Sequence, residues 1–134
     1  FPTRRSSDLA DKQVIFAGAL DERAVRDQLI RADALILPTQ GENFGHAIFE
    51  SFSVGTPVII SDCTIWRSLA DKQAGWDVSL DDPAALALAV QQLSTMGPEA
   101  RHTLRQGALQ LAKSFVGQQN FAADYRHLFG FRGP

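Results

Sequence analysis

Residues 34–60 read ALILPTQGENFGHAIFESFSVGTPVII. The stretch opens on four apolar residues, Ala34 to Leu37, closed by Pro38. Their lack of polar alternation predicts a strand buried on both faces. Thr39 to Phe44 reads as a loop, with Gly41 inside it and Gly45 just after. Gly45 to Val54 then predicts a helix, ended by Gly55 as a left-handed cap with Pro57 just beyond. Val58 to Ile60 follows as another buried strand. A strand, a loop, a helix and a second strand in this order make a crossover unit, which joins parallel strands.

Upstream, Val14 to Ala17 is a short β-branched and aromatic run ended by Gly18, and it predicts a further buried strand. Asp21 can cap a helix with Val25, Leu29 and Ala32 on its apolar side. Downstream, Trp76 to Val78 predicts a short strand. Asp81-Asp82-Pro83 supplies a cap and a first-turn proline for a helix with Leu86, Val90 and Leu93 on one stripe. Gly97-Pro98 breaks that helix. Residues 99–115 repeat the amphipathic period through Leu104, Ala108, Leu111 and Phe115, and residues 118–129 through Phe121, Tyr125 and Leu128. No heptad runs across the breaks, so these stripes are expected to pack as core and not as a coiled-coil seam. The fold class expected is α/β: a partial Rossmann-like parallel sheet with flanking helices, ending in two to three amphipathic helices. The domain is expected over residues 13–130, between a non-native or disordered leader (1–12) and a short tail (131–134).

A chain of 134 residues predicts a single core. Its 45% hydrophobic and 21% charged residues suit a globular protein. A formal net charge of -2 offers no basic field to a nucleic-acid backbone, so no nucleic-acid partner is expected. The apolar runs are too short to span a membrane. The single cysteine, Cys63, has no partner for a disulfide or a zinc cluster. It is expected to be small, buried or half-buried and inert, which points to a reducing, cytoplasmic location. No metal site is expected.

In an open parallel sheet, ligands bind beyond the carboxyl ends of the strands, where Thr39 to Gly45 falls. Gly41 and Gly45 allow close backbone approach, and the following helix aims unpaired N–H groups at an anion. Glu42 and Glu50 are poor neighbours for a phosphate but good acceptors for hydroxyls. A ligand with both phosphates and hydroxyls is a sugar nucleotide. Isolated glutamates are ordinarily solvated side chains; these two differ in framing one strand-to-helix junction. His46 suits either a local cap or a ligand contact. Asp62 and Thr64, just past the strand at Val58, could reach the same ligand. Trp66 and Trp76 are expected as core or loop anchors.

GENFGHAIFESFSVGTPVIISD (residues 41–62), with Ala74-Gly75-Trp76 and the Asp82-Pro83 helix start, resembles the large retaining glycosyltransferase family 4, or glycosyl transferases group 1. Its motif carries two glutamates separated by seven residues, as Glu42 and Glu50 are. The resemblance covers about Val14 to Phe129 and implies the C-terminal, donor-binding half of a two-domain GT-B fold. It implies that Glu42 is the catalytic residue beside the donor sugar and that Glu50 takes the ribose hydroxyls. It also implies that the backbone N–H groups of Phe44, Gly45 and His46 approach the sugar and diphosphate, with Gly41 and Asn43 completing the donor-binding loop. The implied donor is a UDP- or GDP-sugar and the acceptor a saccharide or glycan, with no cofactor and no metal. Other readings are a related sugar phosphorylase or epimerase, or a non-catalytic nucleotide-binding or interaction module with a flavodoxin-like sheet.

Family members precede this region with a strand carrying basic residues and with an acceptor-binding domain, which residues 1–13 do not match. The expectation is of a truncated chain with little transferase activity alone, and of self-association through an exposed sheet edge.

Overall fold

The computed structural model describes residues 14–40 and 46–117. The leader at 1–12, the last predicted helix at 118–129 and the tail at 131–134 lie outside the described residues, as do Gly41 to Gly45. The elements run α1 (Glu22–Arg31), β1 (Leu35–Leu37), α2 (His46–Ser53), β2 (Val58–Ser61), β3 (Gly75–Val78), α3 (Pro83–Thr95) and α4 (Pro98–Val116). The three strands form one parallel sheet in the order β1-β2-β3, with Leu35 opposite Val58 and Val58 opposite Gly75. The expected α/β class with a Rossmann-like partial sheet is therefore present.

β2 is the axis of the core. Val58 and Ile60 enter one apolar cluster with Ile48, Phe49, Phe52, Trp66, Leu69 and Ala108, while Ile59 enters a second with Ala89, Leu93 and Leu104. Alternate side chains of one strand thus bury both faces, which is why Val-Ile-Ile carries no polar residue. Gly75 opens β3 at φ +144°, and a Cβ there would stand 1.9 Å from the Val58 carbonyl oxygen.

The helix ends follow the residues expected to make them. Asp21 accepts a hydrogen bond from Ala24 N at 2.8 Å, and Asp82 from Ala84 N at 3.1 Å, each relieving an N–H the helix leaves unpaired. Gly55, at φ +78°, ends α2 in a Schellman motif: Gly55 N donates to Phe52 O at 3.0 Å and Thr56 N to Ser51 O at 2.9 Å.

Three expectations about packing are corrected. Val14 to Ala17 is not a strand, and Val14, Ile15 and Phe16 are 54%, 75% and 74% exposed. Apolar content alone does not make a strand; its N–H and C=O groups need a ladder, and the described sheet ends at β1. For the same reason the strand at Leu35–Leu37 is not buried on both faces: among the described residues it is the edge strand of the sheet, with Ile36 48% exposed. On α3 the buried residues are Ala89 and Leu93, with Leu86 partly buried and Val90 39% exposed. The contact face is thus rotated towards the smaller side chain, Ala89.

Candidate functional site

Because the strands are parallel, Leu37, Ser61 and Val78 all end on one edge of the sheet. The chain leaves β1 there through Pro38, Thr39 and Gln40. Thr39 N donates to Leu37 O at 3.0 Å, and the Ser61 hydroxyl donates to the Thr39 carbonyl oxygen, fastening the exit of β1 to the end of β2. Among the described residues, Thr39 Oγ1 is buried without a hydrogen-bond partner.

α2 rises from this edge. Ile48, Phe49, Ser51 and Phe52 are buried, and His46, Ala47 and Glu50 form the exposed arc. Four residues apart, His46 and Glu50 share one face of the helix. The opposite face is held by aromatic packing: Trp66 lies 5.2 Å from Phe52, 6.3 Å from Phe49 and 4.7 Å from Phe115, ring centre to ring centre. Glu50 is exposed, and its carboxylate makes no hydrogen bond or ion pair among the described residues. Of the expected site residues, His46 and Glu50 therefore share the exposed face of α2, which begins at the carboxyl edge with His46. Gly41, Glu42, Asn43, Phe44 and Gly45 lie outside the described residues.

The turn after β2 supplies Asp62, Cys63 and Thr64 to the same edge. Asp62 N donates to Val78 O at 2.8 Å, and the Asp62 carboxylate stands 3.7 Å from the Cys63 thiol. Cys63 is exposed, against the expectation of a buried or half-buried thiol, because it occupies the turn and not the strand. Thr64 turns inwards. It is only 8% exposed, and its hydroxyl is engaged with the Trp66 backbone, accepting from N at 3.0 Å and donating to O at 3.3 Å. It shapes the loop. Trp66, 4% exposed, is the core anchor expected, and Trp76 is half-buried against the second cluster.

Two residues that sequence reasoning passed over hold this edge together. Ser61 is one, and nothing in the run Val-Ile-Ile-Ser marks its hydroxyl. The other is Asp77, whose carboxylate accepts from Ser68 N at 3.2 Å and Leu69 N at 2.9 Å and pairs with Arg67 at 3.4 Å. A charged residue inside a predicted strand was its signal. Among the described residues no three His, Cys, Asp or Glu side chains gather to hold a metal ion. No described helix is long and apolar enough to cross a membrane.

Residues 2–96 match the family model of glycosyl transferases group 1. Among curated proteins, the chain is similar to glycogen synthase of Mycobacterium tuberculosis, 31% identical over 77% of this chain and 25% of that protein. It is 34% identical to the phosphatidyl-myo-inositol mannosyltransferase of Mycobacterium leprae over 61% of this chain and 22% of that protein. It is also 27% identical to the serotype-specific mannosyltransferase WbdA of Escherichia coli over 69% of this chain and 11% of that protein. The chain thus spans a quarter or less of the length of these relatives. No solved structure matches.

Proposed function

The chain belongs to the glycosyl transferases group 1 family, and from that premise we propose that it is the donor-binding part of a retaining transferase. The whole protein would move a sugar from a UDP- or GDP-sugar to a saccharide or glycan acceptor. Glu50 takes the ribose hydroxyls of the nucleotide. Glu42 lies by the donor sugar, where its carboxylate steadies positive charge developing at the anomeric carbon. The backbone N–H groups of Phe44, Gly45 and His46 approach the sugar and diphosphate, and Gly41 and Asn43 shape the loop. The positive end of α2 offsets diphosphate charge without a metal.

One observation carries this proposal: Glu50, exposed and unpaired among the described residues, lies one turn along from His46 on the helix that begins at the carboxyl edge of a parallel sheet. Two of the similar proteins are named mannosyltransferases and one a glycogen synthase, which supports a hexose donor and a saccharide-bearing acceptor. A non-catalytic flavodoxin-like module would use the same sheet but has no need of the acidic pair, and the family match favours a transferase over a phosphorylase or epimerase. Self-association belongs to the same proposal: β1 is an edge strand, and exposed Ile36 and Ile30 extend its apolar border.

The test is transfer by the full-length protein from a panel of nucleotide sugars, with the anomeric configuration of the product read by NMR. Turnover with retention, lost in Glu42→Gln, is expected. Inversion, or full turnover in Glu42→Gln, would refute the proposal.

A further inference from the structure

At the opposite edge of the sheet, α3, α4 and the start of β3 flank an open groove of about 620 Å³. Trp76, Gln73, Gln92, Thr95, Met96 and Thr103 give it its chemical character, and no charged residue lines it. The groove opens by Gly75, at the amino end of β3, whereas the candidate donor site lies beyond the carboxyl ends. At about 3.3 Å per residue, the strand separates the two by about 10 Å or more. The groove is therefore no part of the donor site.

Its lining selects a ligand class. With no cationic or carboxylate side chain in its lining, it offers a phosphate or an ammonium group no ion pair. The hydroxyl of Thr95 shares its single proton between Gln91 O and Gln92 O, and that of Thr103 donates to Glu99 O, so each keeps lone pairs with which to accept a hydrogen bond. The side-chain amides of Gln73 and Gln92 make no hydrogen bond among the described residues, and each offers donors and an acceptor. Half-buried Trp76 and Met96 add an apolar surface between these polar groups. Paired donors and acceptors around an indole suit a ring that has neutral hydroxyls on its rim and C–H groups on its face. We infer that this groove is a second carbohydrate site, which holds a short segment of a neutral pyranose glycan away from the donor. Such a site would keep a glycan chain near the protein and raise its effective concentration.

The test is titration of the protein with maltoheptaose and with a linear manno-oligosaccharide, followed through the tryptophan indole and backbone amide signals in NMR. Saturable binding of at least one glycan in the millimolar range is expected, with the Trp76 indole signal moving and that of buried Trp66 still. The two arms show which neutral sugar fits. The double variant Gln73→Ala, Gln92→Ala, whose side chains are exposed, should keep its melting temperature and bind roughly tenfold more weakly. Glu50→Gln should bind the glycan unchanged, so loss of the donor reading would leave this one standing. Absence of saturable binding by either glycan would overturn the inference. So would shifts confined to His46, Glu50 and Asp62, or an apolar peptide displacing the glycan from Trp76.

Discussion

Gly107, in the middle of α4, is a position where propensity and packing have opposite signs. Alanine is the better helix former by about 1 kcal/mol. A Cβ at 107, however, would stand 1.9 Å from the carbonyl oxygen of Gln73 and 2.6 Å from its carbon, backbone atoms that yield only if the helix moves. Gly107→Ala is therefore expected to destabilise by about 1–3 kcal/mol, read as a lower denaturant midpoint; a stabilised variant would show that α4 does not rest on the turn at Gln73. Thr56 gives a second case. It is fully buried, and its hydroxyl donates to Leu29 O at 2.5 Å. Thr56→Val keeps the shape and removes the donor, and should cost about 1–2 kcal/mol in chemical unfolding. Neither role was legible in the sequence, because each depends on a backbone atom brought near only by folding. Asp21, Asp82 and Gly55 were legible, since a cap acts on its own helix.

Between elements, Arg105 of α4 reaches the carbonyl oxygens of Ala32 at 2.7 Å and Gly55 at 3.2 Å, the chain just past the ends of α1 and α2. One guanidinium thus joins three helices by charge-assisted bonds. Arg105→Met, which keeps much of the stem, should cost about 1.5–3 kcal/mol and release α1 first, seen as faster amide exchange at Leu29 than at Ile59. Equal exchange at both would contradict it. Local pattern revealed α2 and β2 because their apolar periods coincide with what they bury. It misjudged Val14 to Ala17 and the strand at Leu35–Leu37, because burial of a strand depends on neighbours that its own residues do not specify. Val90 was misjudged for a related reason: a helix with apolar residues on several sides can settle on more than one stripe, and β2 chose Ala89.

At the scale of the whole molecule, Ile36 is 48% exposed on edge strand β1, Ile30 is 47% exposed on α1, and Val14 to Phe16 lie open. This chain should self-associate with rising concentration in light scattering, and Ile36→Lys, a charge on the edge, should return it to monomer. Association unchanged by Ile36→Lys would place the contact elsewhere. The candidate site was proposed from one stretch because residues 41–50 carry the whole motif, whereas Ser61 and Asp77, which brace that side of the sheet, lie on other strands. Under the proposed function the two glutamates differ in what they touch, ribose for Glu50 and sugar for Glu42. Titrating the full-length protein with the nucleoside diphosphate alone separates them most directly. Glu50→Gln should weaken that binding roughly 10- to 100-fold, the worth of a charge-assisted hydrogen bond, and Glu42→Gln should leave it unchanged. Wild-type affinity in Glu50→Gln, or an equal loss in Glu42→Gln, would contradict the account.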